Sequence, residues 1–191
     1  MLNFLTILKG DLMSILIVDY GGPTVYKIRE ILAELETTSI LIKPDHISFP
    51  NNIKGIILSG GPDHVYQDQS RQLPTWIDQI DIPILGICYG MQLICKYFNA
   101  KIIPQSQIEY GHVLIKSIKN DVLLGEFTEQ LVWMNHYDAV TDIPSCLEIT
   151  SISQNGHIAS LNDGKKWWGV QMHPENSVET NIFKNFLIIC G

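Results

Sequence analysis

Positive charge is scarce in this chain, and that scarcity removes several classes of function at the outset. Thirteen lysines and arginines face 20 aspartates and glutamates, for a net charge of −7. Nucleic acid and anionic membranes are therefore not expected as partners, because long-range attraction is missing. Paired cysteines are missing too. Cys88, Cys95, Cys146 and Cys190 lack the spacing of a disulfide framework or a metal knuckle. They read as reduced thiols of a cytoplasmic protein, and Cys95, seven residues beyond Cys88, reads as core. No internal repeat, low-complexity tract or linker interrupts the 191 residues, a length that suits one domain with ample chain for a core. Long apolar runs are absent as well. Leu2, Phe4, Leu5, Ile7 and Leu8 form a stretch too short to span a bilayer, without the basic start or cleavage site of a signal peptide. Met13-Ser14 stands directly before the first strand signal, so residues 1–13 are expected to be an N-terminal extension, disordered or artefactual, with no function assigned.

What the chain does have is alternation of strand and helix signals. Ile15 to Asp19 is a short apolar strand, and Val25, Ile28, Ile31, Leu32 and Leu35 recur at helical spacing. Ile40 to Ile42 and Ile56 to Leu58 read as further strands, Leu73 to Ile80 as a short helix, and Ile84 to Ile87 as another strand. Such alternation implies a parallel sheet covered on both faces, with ligands at the carboxyl ends of its strands. Between Lys101 and Ser160 the signals change to short strands with turns, which predicts an antiparallel section, and Ser177 to Ile189 closes with a helix.

Three motifs carry chemistry. Gly86-Ile87-Cys88-Tyr89-Gly90, between an apolar strand and the helical start Met91-Gln92-Leu93-Ile94, has the form of a nucleophile elbow. Glycines two residues to either side permit the strained turn, and the N–H groups of the following helix favour a thiolate. Gly169-Val170-Gln171-Met172-His173-Pro174-Glu175 reads as a strand running into a site. Pro174 disfavours a helical His173, and in an extended chain residues two apart share a side. His173 and Glu175 would then stand as base and orienting carboxylate. Ile56-Ile57-Leu58-Ser59-Gly60-Gly61-Pro62 is a buried-looking strand ending in a turn with free amides. Acyl transfer needs two donors aimed at the developing oxyanion, and the amides of Gly61 and Tyr89 are the candidates.

In this order the three motifs resemble the class I glutamine amidotransferase family, from about Ser14 to Gly191. Within it, Ser59-Gly60-Gly61-Pro62, Cys88-Tyr89-Gly90-Met91-Gln92, Glu109-Tyr110-Gly111 and Val132-Trp133-Met134-Asn135-His136-Tyr137-Asp138 are similar to the glutaminase part of GMP synthases. Where the family usually has a polar loop after its first strand, this chain has Asp19-Tyr20-Gly21-Gly22-Pro23-Thr24. The resemblance implies a flavodoxin-like, mostly parallel sheet with helices on both faces and a smaller antiparallel section, as a single domain over residues 14–191. The end at Phe186-Leu187-Ile188-Ile189-Cys190-Gly191 matches where fused enzymes leave the glutaminase, which implies a free-standing subunit or an isolated domain.

The implied activity is hydrolysis of L-glutamine to glutamate and ammonia. Cys88 attacks the side-chain amide, His173 takes the thiol proton and later gives one to the leaving ammonia, and Glu175 steadies the imidazolium. Gly61 and Tyr89 hold the oxyanion, each worth on the order of 3 kcal/mol. Gln92, Asn135 and Tyr137 are expected to touch glutamine, while Glu109, Tyr110 and His136 are left as structural or partner-facing. The resemblance further implies an ATP-pyrophosphatase synthetase partner that holds ATP and Mg²⁺ and aminates XMP to GMP, with no cofactor or metal in this chain. An amidotransferase subunit for another acceptor, a stand-alone γ-glutamyl amide hydrolase, and a binding protein with a defective site stand as alternatives.

Overall fold

Four aliphatic residues in succession make Ser14–Val18 a strand that can be satisfied only with cover on both faces. It forms β1, and only Ser14 retains partial exposure. The computed structural model describes residues 14–48, 51–177 and 181–191. The extension expected at residues 1–13 lies outside them. After β1 come α1 (Val25–Glu34), β2 (Thr38–Ile42), β3 (Ile53–Leu58), β4 (Ile84–Ile87), α2 (Tyr89–Tyr97), β5 (Lys101–Ser117) and β6 (Glu129–Asp142). β7 (Glu148–Ser153), β8 (Ile158–Asn162), β9 (Trp167–Val170) and α3 (Ile182–Cys190) complete the order. The nine strands of the described residues join one sheet, in the order β2-β1-β3-β4-β9-β8-β7-β5-β6. The five from β2 to β9 run parallel, and the remaining four continue antiparallel.

The pleat sorts the aliphatic runs onto two faces. Ile15, Ile17, Ile57, Leu85 and Ile87 pack with Val25, Ile28 and Leu32 of α1 and Phe183 and Phe186 of α3. Leu16, Val18, Ile56, Leu58 and Ile84 pack on the other side with Leu93 and Ile94 of α2. Continuous apolar strands covered by helices on both sides are what a parallel sheet requires. The chain leaves β1 for one neighbour, β2, and returns to the other, β3. Such a reversal opens a crevice at the carboxyl ends of the strands.

Three local expectations are corrected. Of the short helix expected over Leu73 to Ile80, only the 3₁₀ turn Ile77–Gln79 forms. Lys166 Nζ takes the carbonyls of Ile77 and Ile80 at 3.1 and 2.6 Å, and Trp76 donates to the His46 carbonyl at 2.8 Å. These tertiary bonds outweigh a short helix. The antiparallel section is not made only of short strands, since β5 and β6 have 17 and 14 residues. Their register passes from Pro104 opposite Asp138 directly to Glu109 opposite His136, so residues 105–108 are looped out within β5. The closing helix begins at Ile182 rather than Ser177.

Candidate active site

The end of β4 is held on both sides. Its strand pairs with β3 and β9, and the Cys88 amide donates to the Val170 carbonyl of β9 at 2.8 Å. α2 starts at once, its first turn closed by Gln92 N–H on the Cys88 carbonyl at 3.1 Å. Reversing from strand to helix within one residue forces Cys88 to φ 51°, ψ −105°, a conformation costing about 1–3 kcal/mol for a residue with a side chain. Gly90 permits the close fit, because a Cβ there would lie 2.3 Å from the Leu58 carbonyl oxygen. The elbow read from the sequence is thus present, with Cys88 buried at 6% exposure.

His173 reaches the sulfur from β9. Its amide donates to the Trp133 carbonyl of β6 at 2.8 Å, which ties the segment beyond β9 to the far strand. His173 Nδ1 donates to Glu175 Oε1 at 2.7 Å. The pairing expected from the sequence is there, but its local cause differs. Pro174–Asn176 is a 3₁₀ turn, not a continued strand, and the turn swings Glu175 back beneath the imidazole. Glu175 is almost wholly buried, and its Oε1 also accepts from Thr24 Oγ1 at 2.6 Å. Its Oε2 has no partner among the described residues. Burial opposes charge on His173, but a Cys88 thiolate in hydrogen-bond contact and the Glu175 carboxylate outweigh it and raise the imidazole pKa to about 10. The proton therefore rests on the imidazole when the sulfur is a thiolate, the ready form of a cysteine nucleophile.

A cavity of about 170 Å³ opens in front of the sulfur. Its lining includes Gly61, Tyr89, Gln92, Asn135 and Tyr137, all five of the oxyanion and substrate candidates. Neither the Gly61 nor the Tyr89 amide is spent on a hydrogen bond within the described residues, Tyr89 being the first residue of α2. The oxyanion turn lies tight against the base, since a Cβ at Gly60 would come within 2.9 Å of His173 Cε1. Cys88 Sγ lies 3.8 Å from the Asn135 carbonyl oxygen. Gln92 is buried, with Nε2 donating to the Asp138 carbonyl at 3.2 Å and to Gln171 Oε1 at 3.3 Å. Larger hollows lie elsewhere, such as a groove of about 660 Å³ beside α1 and β2, but they contain none of this chemistry.

A nucleophile, a base, an orienting carboxylate and two unspent amides at one cavity describe acyl transfer. Residues 16–190 match the family model for class-I glutamine amidotransferases. The chain belongs to the class I glutamine amidotransferases.

This amidotransferase is 37% identical over 184 residues to the GMP synthase [glutamine-hydrolyzing] of Petrotoga mobilis. It is 39% identical over 188 residues to that of Geobacillus kaustophilus. Each match covers 93% of this chain and 36% of the relative, so the chain spans little more than a third of their length. Among solved structures, a Thermoplasma acidophilum protein described as one subunit of a GMP synthase matches with TM-score 0.86 and 26% identity over 94% of each chain. A glutamine amidotransferase from Thermotoga maritima shares the fold, with TM-score 0.72 and 21% identity over 92% of this chain and 81% of that one. The flavodoxin-like architecture expected of the family is the one observed.

Three side chains at the amidotransferase site were not singled out from sequence. Asp138 lines the cavity, its side chain 4% exposed, with Oδ2 at 2.6 Å from His64 Nδ1 and Oδ1 accepting from Tyr66 at 3.0 Å. His64 lines the same cavity, and Thr24 holds Glu175. A period-two reading of β6 would have placed Met134, His136 and Asp138 on one face, and two polar residues on a buried face are a signal. Of the residues left as structural or partner-facing, Glu109 and His136 form a buried pair at 2.9 Å, and Tyr110 is 65% exposed.

Proposed function

We propose that this chain is the glutaminase component of a GMP synthase. Glutamine enters the cavity with its side-chain amide toward Cys88 and its α-ammonium toward Asp138, the buried carboxylate of the lining. Cys88 attacks the amide carbon as thiolate, and the amides of Gly61 and Tyr89 receive the charge that develops on oxygen. The imidazolium of His173 protonates the departing ammonia. As a neutral base, His173 then takes a proton from water, which cleaves the thioester and releases glutamate. Glu175 keeps the Nδ1 proton in place, so that the other ring nitrogen does the transfers. Gln92, Asn135 and Tyr137 shape the walls around the substrate. The observation that carries this reading is the Cys88 elbow facing the His173–Glu175 pair across a cavity with two unspent amides.

Ammonia then passes to an ATP-pyrophosphatase synthetase that binds ATP, Mg²⁺ and XMP, in the cytoplasm. Support for the acceptor comes from the GMP synthases, to which this chain is 37% and 39% identical. The test is ammonia release from glutamine by the purified chain, alone and with the synthetase of the same organism, ATP, Mg²⁺ and XMP. Stimulated release with GMP formed is the expected result. Unstimulated hydrolysis without GMP would assign the same chemistry to another acceptor or to free γ-glutamyl amide hydrolysis.

A further inference from the structure

We infer that Thr24 is a positioning residue for this chemistry, a fourth member of the Cys88-His173-Glu175 arrangement that acts through Glu175. Thr24 stands at the N-cap of α1. A threonine there normally turns its hydroxyl oxygen toward the unpaired amides of its own helix. Here no such capping bond is made. The hydroxyl proton goes instead to Glu175 Oε1, 2.6 Å away and 151 residues along the chain. A helix start that gives up its own cap for a distant buried carboxylate is a local rule broken at a functional site.

The geometry shows what the bond does. Oε1 accepts from both Thr24 Oγ1 and His173 Nδ1, at 2.6 and 2.7 Å, while Oε2 has no partner among the described residues. Without Thr24, the imidazole would be the only described group fixing the carboxylate, and the carboxylate could not hold the imidazole more firmly than it is held itself. A second bond ties the same segment to the same turn, from Lys27 Nζ to Asn176 Oδ1 at 2.8 Å. The loop also reaches the oxyanion turn, where the Gly22 amide donates to the Gly60 carbonyl at 3.2 Å. One loop after β1 thus holds the orienting carboxylate by a side chain and the oxyanion turn by its backbone. Lost orientation lowers turnover more than binding, because the imidazole works in the transition state and not in glutamine recognition.

This inference rests on the glutaminase reading, and a double-mutant cycle tests the two apart. In T24V, kcat for ammonia release is expected to fall about tenfold with KM for glutamine changed less than about twofold, and T24S is expected to restore kcat to within about threefold. In an E175Q background, T24V should cost less than about a further twofold, because a residue acting only through Glu175 has nothing left to hold. T24V withdraws a bond from a buried carboxylate, so its melting temperature is expected to fall by a few degrees, and kcat is compared at a temperature where circular dichroism shows both variants folded; T24A, measured alongside, serves if the valine variant does not fold. An unchanged kcat in T24V, or a loss that multiplies in full with that of E175Q, overturns the assignment. Ammonia release that persists in C88A would instead refute the glutaminase reading, whatever T24V gives.

Discussion

β4 and β6 both border the Cys88 sulfur, yet they are built from opposite materials. β4 is Ile84-Leu85-Gly86-Ile87, buried at every residue and paired on both edges by parallel neighbours. β6 is an edge strand whose buried His136 and Asp138 alternate with exposed Asn135 and Tyr137. The parallel part of the sheet gives the nucleophile a dry, doubly covered frame in which a strained turn can be held against the solvent. The antiparallel part presents polar side chains to the cavity, and it anchors them with buried polar bonds. Glu109 shows the method. One oxygen meets His136 Nε2 at 2.9 Å and the other accepts from Ser153 and Asn155 at 2.6 and 2.8 Å. That cluster sits where β5 loops out residues 105–108, and a fully hydrogen-bonded buried polar cluster is well suited to fixing strand register at such a point. The nucleophile is thus positioned by apolar packing, and the strand that faces it by buried polar bonds.

The largest effect that would break this division is expected at the apolar side. Cys88→Ala should lower ammonia release from glutamine at least about a thousandfold and abolish labelling by a γ-carbon electrophile related to glutamine, with the fold intact by circular dichroism. Retained turnover would remove the nucleophile from β4 altogether. On the polar side the signature should be binding rather than chemistry. Asp138→Asn is expected to raise KM for glutamine about thirtyfold, the cost of about 2 kcal/mol for a charge-assisted bond, while kcat stays within about threefold. A kcat loss with unchanged KM would mean that β6 takes part in the reaction itself.

The smallest effect concerns the anchor beneath that wall. Burial alone would raise the Glu109 pKa, but hydrogen bonds from His136, Ser153 and Asn155 and the charge of His136 hold the carboxyl down at about 2. A carboxyl depressed in the folded state stabilises above its unfolded pKa, and the contribution is lost as pH falls through the folded value. Glu109→Gln is therefore expected to cost about 1.5 kcal/mol in urea unfolding at pH 7. The gap to the parent should shrink as pH drops from about 4.5 toward 2. A gap constant across that window would place the pair's role outside electrostatics.

The parallel frame was legible because its strands are aliphatic runs and α1 has clean helical spacing. The elbow was legible because Gly86, Cys88 and Gly90 are close in sequence. His173 and Glu175 were paired correctly by residue type but for a different local reason, since a 3₁₀ turn and not an extended strand brings them together. What escaped was set by long-range bonds. Nothing near Thr24 marks Glu175 as its partner, and the missing helix near Leu73 was decided by Lys166, far along the chain. Short strands with turns were expected after Lys101, whereas a looped-out segment after Pro104 and a positive φ of 95° at Gly111 let one long strand run through. Asp138 and His64 meet only through folding, 74 residues apart.

The backbone at Cys88, with φ 51°, sets natural selection for durability against selection for turnover. Glycine would occupy that position at less conformational cost than any residue bearing a side chain. The turn therefore carries a residue kept for its sulfur at the expense of local backbone energy. Any effort to toughen the protein by relieving backbone strain must hold residue 88 fixed by design.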